Sequence, residues 1–375
     1  MRGLMIGAAA LAVLGAPVAA QAPAARSVAA APSALAQFTP QDEDAGAPTI
    51  DFTIWDTALH WFVLNMGRSL REFSSRPQES TGSRLIQGHD SPYRLEGNRV
   101  AFDMMPEDVK QSLTDYRRDL EQLPEAVELT KLGRNEQLAY WINLHNVAVI
   151  EQLALAYPVK SPTEVNIAGV PLDDAPIITV SGVRLSPKDI RTKIVYPNWR
   201  DAKVMYGFWR GDIGGPTISR DAYSGSNVAE VLEQSAREFV NSLRGAERRG
   251  DTMHVSAYYL EAQPFYFPNW NADLRQHLRT YSNPDVMAAL DQTSEIKAGI
   301  EEIDIADLSK GEREAMYSNL VVNGNSPGIR VNPAVARLMN ERQQKLEKIW
   351  KENGRQGRVI FQDAGEADKP VETVK

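Results

Sequence analysis

Hydrophobic positions recur at helical spacing from Ile54 through Ala58, Phe62, Met66, Leu70 and Phe73, which predicts a first helix. Thr53, followed three residues on by Asp56, has the form of a capping box at its start. Pro106, Glu107 and Asp108 supply the first-turn chemistry of a second helix, with Val109, Leu113, Tyr116 and Leu120 as its buried stripe. Between the two, 78–98 is rich in Gly, Ser, Arg and Asp without periodicity and reads as a long loop carrying His89 and Asp90.

After Gly133 the pattern changes. The run NEQLAYWINLHNVAVIEQLALAY is apolar almost all round, as expected of a helix enclosed by the rest of the protein, about 134–156. Glu136, Asn143 and Asn146 interrupt it on one stripe, and His145 lies on another face above Trp141 and below Val149. A buried amide or imidazole left without a partner costs about 1 to 3 kcal/mol, so these side chains need specific bonds.

The middle of the chain turns to strands. Ile177 to Val180 and Val183 to Leu185 flank Ser181-Gly182 as a hairpin, after which Ser186-Pro187-Lys188-Asp189 opens a short helix. Lys203 to Trp209 reads as a buried strand running into the Gly-rich turn RGDIGGP. Asn227 with Glu230 caps a helix bearing Val228, Val231, Leu232, Phe239, Val240 and Leu243, and Thr252 to Tyr259 suggests another strand. Asn332-Pro333 opens a last helix ending at Asn353-Gly354. The fold class expected is α+β: a helix-rich domain with a small central antiparallel or mixed sheet and one buried central helix.

The N-terminus adds a destination. Arg2, the apolar run from Leu4 to Leu14, and Pro17 before Val18-Ala19-Ala20 have the form of a signal peptide over 1–20, cleaved after Ala20. That run is too short to span a hydrocarbon core of about 30 Å, and no later stretch reaches about 18 apolar residues. The expected organisation continues with an Ala/Pro-rich linker over 21–48, an N-terminal helical region over 49–132 and an α+β core over 133–281. A C-terminal helical region over 282–354 and an acidic disordered tail over 355–375 complete it. The expected location is periplasmic or secreted.

Composition narrows the chemistry. With 43% hydrophobic residues, seven Trp and twelve Tyr the chain can build a substantial core. A net charge of -8 disfavours nucleic acid, whose phosphates would repel it. The chain has no cysteine, which removes a thiol nucleophile, a disulfide framework and every cysteine-based metal site. No H-x-x-x-H or EF-hand pattern is present, and Glu301, Glu302, Asp304 and Asp307 read as a solvated face, so neither metal nor cofactor is expected. GNSPG at 324–328 has the form of a nucleophile elbow, but Pro327 has no N–H to donate to an oxyanion hole, and all five histidines precede Ser326. In GDIGGP, adjacent glycines beside Arg210 suit an anion-binding concavity, with Asp212 positioning the guanidinium. Tyr206, Trp209 and Tyr223 are the expected walls of that pocket, and His254 a titratable neighbour.

The segments LAYWINLHN, VSGVRLSPKDI, VMYGFWRGDIGGPTISRDAY and LEQSAREFVN together resemble the family catalogued as domain of unknown function 547, over roughly Asn135 to Tyr266. The resemblance implies an α+β fold. It also implies a histidine at the start of the strand and cysteines on and after it in many members, where this chain has Met205, Arg210 and Gly215. No thiol-based activity carries over. Asn143 and Asn146 match the helix motif, and His145 occupies a position that is usually tyrosine.

Three functions compete. The sequence favours a noncatalytic module binding a polar or anionic small molecule, peptide or glycan of the envelope. The alternatives are a hydrolase or transferase on an envelope peptide or glycan, with His145 or His254 as acid or base, and a structural or assembly protein. A cleft where a histidine meets a carboxylate would favour the enzyme, and one lined by aromatics and arginine the binder. Oligomeric state is left open.

Overall fold

The computed structural model describes residues 34–40, 47–77, 88–312, 318–320 and 329–356. The expected signal peptide, most of the linker, the first ten residues of the 78–98 loop, Ser326 and the tail beyond Gln356 lie outside the described residues. By contacts the chain divides after Ala34, and the elements that follow belong to the unit Leu35–Lys375.

The helices are α1 (Thr53–Phe62), α2 (Glu107–Ala126), α3 (Arg134–Ala156), α4 (Pro187–Asp189), α5 (Tyr196–Asn198), α6 (Val228–Val240), α7 (Tyr258–Tyr266), α8 (Trp270–Tyr281), α9 (Pro284–Asp291) and α10 (Pro333–Gln356). Short antiparallel pairs join β1 (Val63–Leu64) to β2 (Arg99–Val100), β3 (Asn166–Ile167) to β4 (Val170–Pro171), and β5 (Ile178–Val180) to β6 (Val183–Leu185). The largest sheet is mixed: β8 (Thr252–Ser256) pairs antiparallel with β7 (Ala246–Arg249) and parallel with β9 (Glu295–Ile300). A last pair joins β10 (Ser318–Leu320) to β11 (Ile329–Val331). The fold is therefore α+β and helix-rich, with small sheets.

The core is built around α3, which is buried on every side, as its all-round apolarity requires. α2 packs along it through Leu113 and Leu120, and α6 packs against it from another side. Tyr140, Trp141, Ile142, Leu144, Val147 and Ile150 are inaccessible to water. A smaller cluster, Met66, Ala101, Leu308, Val335 and Leu338, seats α10 on the chain around β1 and β2.

Several elements differ from their expected form. α1 ends at Phe62 because Val63 and Leu64 pair with Val100 and Arg99, so Met66 joins the smaller cluster and Phe73 is left exposed. Its buried face is Trp55, Leu59 and Phe62, and Ile54 points to solvent. Thr53 forms no capping box: its N–H donates to Asp51 Oδ1, while Asp56 Oδ1 accepts from the Ala222 N–H. Asn227 likewise does not cap α6, its side chain bonding Ser224 and Ala222 instead. The strand expected from Thr252 stops at Ser256, after a register shift, and Tyr258 and Tyr259 begin α7.

The largest change concerns Lys203 to Trp209. Ala202–Gly207 is a 3-10 helix whose first turn is held by Asp201, which accepts from the Lys203 N–H, and Phe208 then runs extended. A short apolar run has the same hydrophobicity in either conformation, and here close packing of Gly207 on α3 and α6 decides: a Cβ there would lie 2.8 Å from Ile142 Cδ1 and 3.0 Å from Leu232. The strip that follows is fastened to α3 by the polar stripe. Asn146 donates to the Gly207 carbonyl at 2.9 Å and accepts from the Trp209 N–H at 3.0 Å. Asn143 donates to the Tyr223 carbonyl at 2.7 Å and accepts from the Tyr223 N–H at 3.1 Å, and Glu136 accepts from the N–H groups of Gly225 and Ile50. Each amide thus meets both hydrogen-bonding groups of a passing backbone, as a neighbouring strand would.

Replacing Asn143 or Asn146 by Leu strands a backbone donor and acceptor in the core. Each substitution should lower stability by about 1 to 3 kcal/mol, read as a lower denaturation midpoint at unchanged slope. Midpoints equal to that of the parent would show that the stripe does not hold the strip.

Candidate functional site

Where the fastened strip leaves α3, Arg210 and Asp212 line a cleft of about 360 Å³. Its apolar wall is Val149, one helical turn past His145, with Pro162, Pro171 and Leu172, and its polar wall adds Asp173 and Tyr258. Gly211, at φ 95°, makes the corner between the two charged residues, and a Cβ there would lie 2.5 Å from Leu153 and 2.8 Å from Pro162.

Behind the cleft sits a network of fixed charges. Arg191, carried on the π-helical turn Ile190–Val195, has no exposure to water. Its guanidinium donates to Asp173 at 2.8 and 2.7 Å and to Glu261 at 2.8 and 3.0 Å, a double fork. Arg210 donates to the same Glu261 at 2.6 Å, and its guanidinium lies 4.3 Å from the Tyr258 ring centre. Burial would push both acids up, yet the arginines outweigh it: Arg191 holds Asp173 well below the usual carboxylate range, and Arg191 with Arg210 lowers Glu261. Burial likewise opposes the charge of Arg191, but Asp173 and Glu261 hold its affinity for the proton well above the ordinary value.

The network fixes His145. Arg191 can only donate, so His145 Nε2, 2.9 Å away, is the acceptor, and Nδ1 carries the proton that it donates to Asn146 Oδ1 at 3.0 Å. Burial first, and then the charge of Arg191, drives His145 down to about 3. The ring is a neutral spacer, packed edge-on to Phe208, with both nitrogens committed.

Asp212 is the exception among the acids. Tyr258 donates its hydroxyl to Asp212 Oδ2, and the Gly215 N–H donates to Oδ1 at 2.8 Å. Burial pushes its carboxyl up to about 6 despite these bonds and the nearby Arg210. The adjacent glycines do not offer free N–H groups to an anion: those of Ile213 and Gly214 bond the carbonyls of Asp304 and Glu302, and that of Gly215 serves Asp212. Nor does Asp212 position Arg210, whose guanidinium goes to Glu261.

Of the expected pocket walls, Tyr206, Trp209 and Tyr223 are core residues and not part of the cleft. The 3-10 turn rotates Tyr206 towards Tyr259 and His277, which it meets at 3.0 and 2.7 Å, and Trp209 stacks on Phe102. His254 does not line the cleft either: it pairs with Glu247 and Lys297 across the sheet and packs against Gly299. Asp307, expected on a solvated face, is buried and accepts from Tyr157, Ser309 and Gly311, with His89 Nε2 3.3 Å away. Asp56, His60 and Asp221 gather at the surface with possible ligand atoms within 4.8 Å of one another, His60 Nδ1 lying 3.6 Å from Asp56 and Nε2 3.4 Å from Asp221.

Residues 129–240 match the family described as Protein of unknown function, DUF547. Over that span, less than a third of its length, the chain is similar to DUF547 members. The matched segment holds the polar stripe of α3, the fastened strip, Asp173, Arg191, Arg210 and Asp212, while Tyr258 and Glu261 come from beyond it. Comparisons with curated proteins and with solved structures gave no match. Among the described residues no helix is long and apolar enough to cross a membrane.

Sequence reasoning missed Arg191, Asp173, Glu261 and Tyr258. Arg191 carried one faint signal, a cation five residues after the Ser186 cap and placed among apolar Ile190, Ile194 and Val195.

Two predictions follow from the buried guanidinium. Arg191→Met leaves Glu261 and Asp173 short of a counter-charge and should cost about 3 to 5 kcal/mol, of which Arg191→Lys recovers part; equal stability of Met variant and parent would refute the network. The second concerns pH. His145 titrates near 6.5 when unfolded and about 3 when folded, so in that window the unfolded chain binds the extra proton and His145 lowers stability as pH falls. Asp212 acts with the opposite sign between 3.8 and about 6, so the parent curve alone is ambiguous. The stability difference between parent and His145→Gln should therefore fall by about 1.4 kcal/mol per pH unit on acidification from 6 towards 4. A difference independent of pH would mean that His145 is not held neutral.

Proposed function

We propose that this is a noncatalytic binding module of the bacterial cell envelope, exported to the periplasm or beyond, and that its ligand site is the cleft between Val149, Leu172, Asp212 and Tyr258. The observation that carries this reading is the commitment of both ring nitrogens of His145, which lies one helical turn before Val149 of the cleft. Among the described residues no histidine lines the cleft, so the acid–base alternative loses both of its expected histidines. What lines it instead is an apolar wall with a few rigidly held polar groups, the usual make-up of a small-ligand site. The double fork of Arg191 keeps Asp173 and Glu261 in place before any ligand arrives, which reduces the entropic cost of binding. The leader-like N-terminus supports export, and the absence of cysteine suits an oxidising compartment.

Thermal unfolding of the protein against a panel of envelope peptides, glycans and amines tests this. A ligand of the native state raises the melting temperature, by an amount equivalent to about 2.7 kcal/mol at a hundredfold excess over Kd. Thr163→Trp, at the exposed rim of the cleft, should melt like the parent and lose that rise. A panel without effect, or a rise that survives the blocked rim, contradicts the proposal.

A further inference from the structure

The charges around the cleft do not cancel. Arg191 and Arg210 are matched by Asp173 and Glu261, and Asp174 has Lys188 at 3.0 Å. Asp212 remains, a carboxylate nine-tenths buried with a tyrosine hydroxyl and a backbone N–H but no cation of its own. Of the charged groups facing it, Arg210 and Arg244 attract it but make their ion pairs with other acids, and Glu302 repels it. Arg210 belongs to Glu261, Arg244 binds Glu238 at 2.6 Å and lies near Glu96, and Glu302, which accepts from Ser91, adds negative charge. A buried carboxylate without a counter-charge is relieved by a proton or by a cation.

We propose that the cleft takes a ligand bearing a primary ammonium group, which sits against Asp212 with its carbon skeleton along Val149, Pro162 and Leu172. The inference rests on the binding reading above and names the ligand class: a cation in place of the anion that the Gly-rich turn suggested. Asp173 at the mouth is part-exposed and its charge is engaged by Arg191, so it adds a polar edge to the cleft and Asp212 is left as the carboxylate for the ammonium. Proton and ammonium compete for one carboxylate, so binding displaces a proton wherever Asp212 is partly protonated.

Matched pairs differing only in the charged nitrogen provide the test. Nα-acetyl-lysine methylamide is set against its norleucine counterpart, and glucosamine against 2-deoxyglucose, so the arms also separate a peptide source from a sugar source. By calorimetry at about pH 7.5 the amine of one pair should bind at least about ten-fold tighter than its neutral partner, and at about pH 5 the preference should shrink several-fold. Near pH 6 the binding enthalpy should depend on buffer ionisation, reporting proton release, for the amine and not for its partner; this readout needs no variant. Asp212→Asn, if folded, should bind both members of the pair alike. Equal affinity of amine and neutral partner, with Thr163→Trp blocking both, overturns the ammonium assignment and leaves the binding cleft standing. Binding that Thr163→Trp does not block overturns both.

Discussion

The Arg191 guanidinium is cut off from water and must nevertheless stay charged, because it holds the one arrangement in which two carboxylates and an imidazole from separate parts of the chain can be buried together. Asp173 precedes β5, Glu261 belongs to α7, and His145 to α3. A lone buried ion of this kind costs several kcal/mol, and only the double fork with nearly ideal distances returns that cost. The same contacts determine the rest of the site: Glu261 is fixed where it can hold Arg210, Arg210 lies on Tyr258, and Tyr258 donates to Asp212. Asp212 stands at the end of this series, after the cations have been used.

A second constraint brings the series to the cleft. Helix α3 is apolar almost all round, so the polar side chains of one stripe, Glu136, Asn143 and Asn146, have no water to bond and take the backbone of the passing strip instead. Asn146 joins the two constraints, since its carboxamide oxygen accepts from Trp209 on the strip and from His145 in the charge network. The position of Arg210, one residue beyond that contact, is thereby set by the helix and not by the turn it opens.

The sequence made the framework legible where one signal dominated. The enclosed helix, the hairpin around Ser181-Gly182 and the Ser186 capping box appear as expected because periodicity and turn chemistry act over adjacent residues. The segment from Ala202 to Gly207 did not, since a short apolar run does not encode whether it is extended or 3-10, and its partners lie on α3 and α6. The site was legible only at Arg210 and Asp212. Arg191, Asp173 and Glu261 are unremarkable charges in one dimension, and nothing local distinguishes a guanidinium that will be fully buried from one on the surface. Tyr206, Trp209 and Tyr223 were expected in the pocket for their size and polarity, and packing took all three into the core.

The cleft's charge balance depends most on Asp212 being the carboxylate left without an ion-pair partner, and a carbon-detected NMR titration of its side-chain carboxyl in the ligand-free protein measures this directly. A midpoint near 6, with Asp173 and Glu261 titrating below the ordinary carboxylate range, is the predicted result. A midpoint for Asp212 at or below the ordinary 3.8 would contradict it, because the bonds from Tyr258 and Gly215 together with Arg210 would then outweigh burial and leave no uncompensated charge for a ligand to relieve.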